Sequence, residues 1–354
     1  MLLLIINPGS TSTKIAVFDG DREVFSENIA HSAEEVGRFQ KMVDQKEFRK
    51  DIVLKTLADR GLDPRSFAAV IGRGGLLKPI PSGTYTVNAR LIEDLIAGVQ
   101  GEHASNLGGL IADEIARPFG LPAYIVDPVV VDELEDWARL TGFPEIKRRS
   151  IFHALNHKYT ARLAAEALGR PYAELNLIVG HLGGGISIGA HDHGRVVDVN
   201  NALNGEGPIA PERAGTLPAA DLAALCFSGQ FTKDEIKKKI TGKGGMVAHL
   251  NTNDLRVVEK KIKEGDARAA LVFEAMAKTT AKQIGGAAAV LKGKVDAIVL
   301  TGGLMYSTEF VDLIKAHISH LGPIFIYPGE NEMAALAAAG VRILKGEESA
   351  RTYA

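Results

Sequence analysis

LLLIINPGSTSTKIAVFDGDREV, residues 2–24, runs an apolar stretch straight into Asn7-Pro8-Gly9-Ser10-Thr11-Ser12-Thr13-Lys14 and then resumes as a second apolar stretch. Strands commonly end in a short turn with one Gly or Asn. Here the turn is a cluster of small hydroxyl residues followed by a lysine. Backbone N–H groups and hydroxyls without steric bulk suit an anion such as phosphate. Residues 3–7, 14–19 and 23–29 therefore read as three successive strands, with Asp19-Gly20-Asp21 turning between the last two.

The same form returns in the second half. Residues 177–181, 185–190 and 195–199 read as strand, small-residue turn and two further strands, with Asp192-His193-Gly194 as the tight turn. Gly183 falls on Gly9, Ala190 on Ala16 and Gly194 on Gly20, each at an offset of 174. Two domains of similar fold are expected, each presenting one glycine-rich hairpin: residues 1–155 and 156–331, with the last helix, 332–354, packing back onto the first. Between these segments, helical stretches at 33–60, 88–99, 103–119, 266–291 and 332–345 alternate with apolar strands at 68–72, 123–127 and 297–301. That rhythm is α/β. A third glycine turn follows the strand in AIVLTGGLMYS, residues 297–307, where Gly302-Gly303 lets a ligand lie against bare backbone.

With 354 residues the chain exceeds the size of a single core, and 46% hydrophobic with 24% charged residues is the composition of a globular protein. A net charge of −2 argues against nucleic acid or an anionic membrane as the main partner. The basic runs Lys237-Lys238-Lys239 and Lys147-Arg148-Arg149 read as solvated faces. The one cysteine, Cys226, reads as buried filler, and a chain that cannot form an internal disulfide fits a reducing cytoplasm. The opening apolar run is too short for a signal peptide and no stretch approaches a membrane span.

No Walker motif is present, and the opening turn is not a Rossmann fingerprint because a strand rather than a helix follows it. NPGSTSTK (7–14), GRGG (72–75), RRSIFHALNHKY (148–159), GHLGGGIS (180–187) and NEM (331–333), in this order, resemble the acetokinase family, within the superfamily of acetate and sugar kinases, actin and heat-shock chaperone ATPases. Pro8 after Asn7, Arg73 before Gly74-Gly75, and an uninterrupted Gly183-Gly184-Gly185 resemble its butyrate-kinase branch more than acetate kinases. The resemblance implies two duplicated actin-like (ribonuclease H-like) domains with ATP in a cleft between them. It implies a reversible, direct in-line transfer from ATP to a short-chain carboxylic acid, butyrate or a branched relative, with Mg²⁺, in a homo-oligomeric enzyme.

Such a transfer brings two anions together, so the site should be rich in Arg, His and a divalent cation and needs no strong base. By resemblance, Arg73 holds the substrate carboxylate and His103, in GEHASNLGG, lies near the acyl group. Arg213, in GPIAPERAGTLP, stabilises the transferring phosphoryl with His153 and His181, while Asp127 sits beside substrate and metal. Asn7, Ser10, Thr11, Ser12, Lys14, His181, Gly183, Gly184, Gly185, Gly302 and Gly303 are the expected nucleotide contacts. Asn7, Asp127 and Glu332 are the expected magnesium residues, with Glu330 an alternative to Glu332. The four-residue spacing of His153 and His157 also fits zinc, although no cysteine or third ligand lies nearby. Three rival functions stay open: an acetate or propionate kinase, a nucleotide-switched assembly or chaperone module, and a sugar kinase in which Asp127 acts as base.

Overall fold

Leu3, Leu4, Ile5 and Ile6 are all fully buried, so strand β1 (Leu2–Pro8) is covered on both faces rather than one. The computed structural model describes residues 1–354. The chain forms two compact units, Met1–Val131 with Asn331–Ala354, and Asp132–Glu330.

In the first unit β1 pairs antiparallel with β2 (Ser12–Asp19), which pairs with β3 (Arg22–Ala30). On its other side β1 runs parallel to β4 (Phe67–Arg73), and β4 parallel to β6 (Ala123–Val126). A short strand β5 (Thr84–Thr86) and the C-terminal strand Arg351–Thr352 complete a seven-stranded sheet, ordered Arg351–Thr352, β5, β6, β4, β1, β2, β3. Edge strand β3 alternates between half-buried and exposed residues, as a one-faced strand should. Helices Lys46–Asp59, Asn106–Ala116 and Glu332–Leu344 belong to this unit. The last lies so close to β4 that a Cβ on Gly340 would stand 2.1 Å from Ile71 Cδ1.

In the second unit β7 (Asn176–Leu182), β8 (Ile186–Asp192) and β9 (Arg195–Val199) form the same antiparallel meander. β7 continues in parallel to β10 (Ala297–Gly302) and β10 to β11 (Ile324–Pro328), giving the order β11, β10, β7, β8, β9. The tight turns of the two meanders match: Gly20 at φ 62° and Gly194 at φ 82° both occupy the left-handed region that glycine tolerates. One face of this sheet packs on the long helix Ala267–Val290 through Met276, Ile284, Ile188 and Leu300. The other packs on helix Ala154–Ala167 through Ala161, Ala164, Val179 and Val299.

Three expectations change. Residues 132–155 fall in the second unit, tied there by Glu135 N–H to Val197 O (3.0 Å) and Lys158 to Glu133 (2.6 Å). Arg148 is no solvated cation: its guanidinium donates to Asp198 (2.7 Å), Glu206 (3.2 Å) and the carbonyls of Ala138 and Val199. Cys226 is exposed rather than buried, because its helix, Ala219–Phe227, has no buried residue at all. Lys237, Lys238 and Lys239 are exposed as expected.

Candidate active-site residues

Ligands of α/β sheets gather outside the carboxyl ends of parallel strands, and in the first unit three such ends carry the candidates. Asn7 lies near the end of β1, Arg73 ends β4 and Asp127 follows β6. Glu332 is the first residue of helix Glu332–Leu344. It accepts from Asn7 Nδ2 at 2.6 Å and pairs with Arg73 Nη1 at 2.7 Å, while the same Nη1 donates to Asn7 Oδ1 at 3.3 Å. Three residues distant in sequence thus form one closed triangle. Both contacts of Arg73 use Nη1, so the edge formed by Nη2 and Nε remains for a second, bidentate partner.

The glycines of GRGG explain how Arg73 is placed. A Cβ on Gly72 would stand 2.1 Å from Gly108 O, and one on Gly108 would stand 2.3 Å from Arg73 O. Helix Asn106–Ala116 therefore lies backbone to backbone against β4. His103, just before that helix, has Nδ1 2.9 Å from Ser105 Oγ and accepts the Ser105 N–H at 3.2 Å. Its proton in the neutral form then belongs on Nε2. Burial, and next the Arg73 charge, push its pKa below the ordinary value and keep it neutral.

Asp127 has a different task in view. At φ 36°, a rare backbone angle for a non-glycine residue, it accepts from Ser82 Oγ and Gly83 N–H, both at 2.7 Å, through Oδ1. One carboxylate oxygen thus braces the loop before β5. In the opening turn Ser10 and Thr11 are exposed, Ser12 is half-buried, and Lys14 is exposed directly opposite Asn7 in the β1–β2 pair. Behind this turn stands Arg49, which the sequence did not single out. Fully buried, it donates to the carbonyls of Gly9 (2.8 Å), Ser10 (3.0 Å) and Ser12 (2.8 Å), to Thr13 Oγ1 (3.1 Å) and to Gln45 Oε1 (2.8 Å). Burial lowers its pKa to about 10, so it stays charged at neutral pH.

In the second unit the Gly183–Gly185 turn adjoins Glu212 and Arg213. Glu212 N–H donates to Gly184 O (3.0 Å), and a Cβ on Gly184 would lie 3.3 Å from the Glu212 carboxylate. Arg213 donates to Glu212 at 3.2 Å, and Glu212 accepts from Asn253 at 2.7 Å. His153 and His181 stack face to face, ring centroids 3.9 Å apart. His157, one turn beyond His153, is fully buried and hydrogen-bonded to Ser187 and His191, the environment of a core histidine.

A cleft of about 640 Å³ opens beside this turn, lined by Gly183, Gly184, Gly303, Tyr306, Asp254 and Arg256 among others. That is a cofactor-sized volume. Of the third glycine pair only Gly303 faces it. Gly302 is buried at φ 98°, where a Cβ would stand 2.3 Å from Leu182 O, so its glycine serves strand packing. Glu330 lines this cleft, whereas Glu332 belongs to the Asn7–Arg73 triangle. Asp254 caps helix Leu255–Lys263 and binds Arg256 at 2.7 Å; the sequence did not single out this segment, although a capping Asp before a helical run is a signal that could have marked it.

Two meanders of one design, each extended by parallel strands and covered by helices, define a duplicated fold of the actin-like class. The Acetokinase family model matches residues 144–350. The chain is 56% identical to butyrate kinase 2 of Clostridium acetobutylicum over 351 residues and 53% identical to butyrate kinase 1 of that organism, with 99% of each chain covered. The crystal structure of Porphyromonas gingivalis acetate kinase superposes with a TM-score of 0.78 at 19% identity, covering 96% of this chain and 99% of that one, and shares the fold. The chain belongs to the acetokinase family.

Proposed function

We propose that this protein transfers the terminal phosphoryl group of ATP to a short-chain carboxylic acid, with butyrate or a branched-chain acid as substrate, and catalyses the reverse reaction to ATP. The observation that carries this reading is the Asn7–Arg73–Glu332 triangle, which fixes a guanidinium by one nitrogen and leaves its forked edge for a carboxylate. A sugar hydroxyl would need a base instead, and the Asp127 oxygen seen in hydrogen bonds is engaged with Ser82 and Gly83.

Arg73 holds and orients the acid, and the neutral His103 donates from Nε2 without adding a charge that would hold the carboxylate too tightly. The carboxylate is already a nucleophile, so catalysis reduces to alignment and to offsetting the repulsion between two anions. Arg213, His153 and His181 supply donors to the phosphoryl oxygens. The turns Ser10–Ser12 and Gly183–Gly185, with Lys14, hold the phosphate chain, and the cleft beside Gly303 and Tyr306 takes the nucleoside.

Magnesium fits the donor set present. No group of three or more His, Cys, Asp or Glu able to enclose a metal occurs in the chain, and Mg²⁺ riding on phosphates needs only one or two protein oxygens. Glu332 and Asn7 would hold it, with Asp127 nearby in function as an outer support. When bound, the ion neutralises phosphate oxygens. We further read the protein as a cytoplasmic homo-oligomer, on its single thiol and its family.

Purified protein with ATP and Mg²⁺, offered acetate, propionate, butyrate, isobutyrate and glycerol with hydroxylamine as trap, tests the reading. Hydroxamate from the four-carbon acids above acetate is expected. Acetate or propionate dominance would reassign the substrate, since one methylene is worth only about 1–3 kcal/mol of discrimination. ADP release with glycerol alone, and no hydroxamate from any acid, would overturn the class.

A further inference from the structure

His153 is the outer end of a hydrogen-bonded chain that runs into the core. Its Nδ1 lies 2.9 Å from Ser187 Oγ, and that hydroxyl lies 2.9 Å from His157 Nε2. His157 Nδ1 meets His191 Nε2 at 3.3 Å, and His191 Nδ1 meets the Tyr172 hydroxyl at 2.7 Å. Ser187, His157 and His191 are fully buried, and Tyr172 nearly so.

Two periodicities build it. Ser187, Gly189 and His191 alternate on one face of β8, and His153 and His157 stand one helical turn apart above that face. Gly189 leaves room for the pair: a Cβ there would lie 3.3 Å from both His157 Nδ1 and His191 Nε2.

Burial above all drives the pKa values of His157 and His191 well below the ordinary one, so both rings are neutral. A neutral imidazole has one donor and one acceptor nitrogen, and a hydroxyl has one proton. The buried Ser187 Oγ bonds His153 and His157 and no third group, so its proton points to one of them and the chain has two senses. If Tyr172 donates to His191 Nδ1, His191 Nε2–H donates to His157 Nδ1, His157 Nε2–H to Ser187 Oγ, and Ser187 O–H to His153 Nδ1. The proton of a neutral His153 must then sit on Nε2. In the opposite sense His153 Nε2 is a bare lone pair, which repels a phosphoryl oxygen. Lys158 Nζ lies 5.8 Å and the Arg162 guanidinium 5.4 Å from the centre of the Tyr172 ring. Two cations over a phenol favour it as donor and disfavour it as acceptor, which selects the first sense.

We propose that Tyr172, His191, His157 and Ser187 are positioning residues that fix His153 as its Nε2–H tautomer, a hydrogen-bond donor to the transferring phosphoryl group. The proposal rests on the reading of His153 as a phosphoryl donor given above. It gives the buried histidines, which no step of the transfer uses, a defined task.

The test uses the full chain labelled with ¹⁵N-histidine, in which long-range ¹H–¹⁵N correlations separate protonated from bare ring nitrogens, beside steady-state hydroxamate kinetics. In the wild type His153, His157 and His191 should all carry the proton on Nε2. Tyr172→Phe keeps the ring and removes the donor; His153 should then shift toward the Nδ1–H form. Loss of one preorganised donor costs roughly 10²–10³ in kcat, so a partial loss of tautomer should cost about tenfold, with KM for the acid within about twofold. Ser187→Ala cuts the chain at a second point and should give the same two changes if Tyr172→Phe folds poorly. Nδ1–H at His153 in the wild type, or an unchanged His153 spectrum in both variants, overturns the proposal. An unchanged kcat in His153→Ala overturns instead the donor reading beneath it, a result distinct from either spectrum.

Discussion

Arg49 is a buried cation that no carboxylate pairs with; its charge is spread over carbonyl oxygens of the opening turn. Arg49→Met keeps the length and apolar stem of the side chain and removes every donor. It takes the guanidinium away from the carbonyls of Gly9, Ser10 and Ser12, the hydroxyl of Thr13 and Oε1 of Gln45, although Ser12 O keeps the Gly9 N–H and Thr13 Oγ1 keeps His31. The three carbonyl contacts are only part-buried, so water can re-enter, and each lost bond should cost near the net value of about 1 kcal/mol rather than the full desolvation penalty. Five acceptors, two of them keeping another donor, give about 3–5 kcal/mol at about 1 kcal/mol or less each. Arg49→Lys keeps the charge but, as a compact point donor, cannot span carbonyls on both sides of the guanidinium plane, so it should recover about half. Urea unfolding followed by circular dichroism measures the stability, and the KM for ATP reports the turn, which should rise about tenfold as Ser10–Ser12 lose their fixed positions. An Arg49→Met protein within about 1 kcal/mol of wild type, with an unchanged KM for ATP, would refute the reasoning.

The two active-site arginines should separate kinetically: Arg73→Ala raises KM for the acid about tenfold or more with a smaller change in kcat, whereas Arg213→Ala lowers kcat, and the hydroxamate assay distinguishes them. The opposite split would exchange their roles. Gly72→Ala forces a methyl group against the Gly108 carbonyl; an overpacking loss of about 1–3 kcal/mol should come with a raised KM for the acid, because Arg73 is the next residue. Stability should fall on acidification before any carboxylate titrates. His157 and His191 stay neutral in the fold but bind protons below about pH 6.5 once unfolded, so the unfolded state gains up to two protons. Their contribution is present above that pH and is lost progressively as pH falls from about 6 to 5. Urea titrations at those pH values check the slope, which His191→Gln should halve.

The strand–turn–strand design was legible because its signals are local: continuous apolar runs for strands covered on both faces, and glycine where φ is positive at Gly20 and Gly194. Contacts between distant segments were not. Asn7, Arg73 and Glu332 each stood out as candidates, yet nothing in their spacing says that one carboxylate meets both of the others. Arg49 lies in EFRKD, a polar helical stretch indistinguishable from a solvated face until β2 and the opening turn pack over it. Arg148 misled for the same reason, since a basic run says nothing about the carboxylates of Asp198 and Glu206 that fold against it. Cys226 misled in the other direction: an apolar helix promises burial, and Ala219–Phe227 lies at the surface. Gly302 and Gly303 look alike in sequence, but one is spent on strand packing and the other faces the cleft. The histidine chain was half visible, as the spacing of His153 and His157, while Ser187, His191 and Tyr172 enter it only through the pairing of β7 with β8 and the helix laid across them.

Attack of a carboxylate oxygen on the terminal phosphorus of ATP can be read from a single isotope. Butyrate carrying ¹⁸O in both carboxyl positions, turned over with ATP and Mg²⁺ and trapped with hydroxylamine, should release inorganic phosphate bearing one ¹⁸O, seen as an isotope shift in the ³¹P spectrum. The trap attacks the acyl carbon and leaves the bridging oxygen on phosphorus. Phosphate free of ¹⁸O, or ¹⁸O found in AMP, would contradict the account.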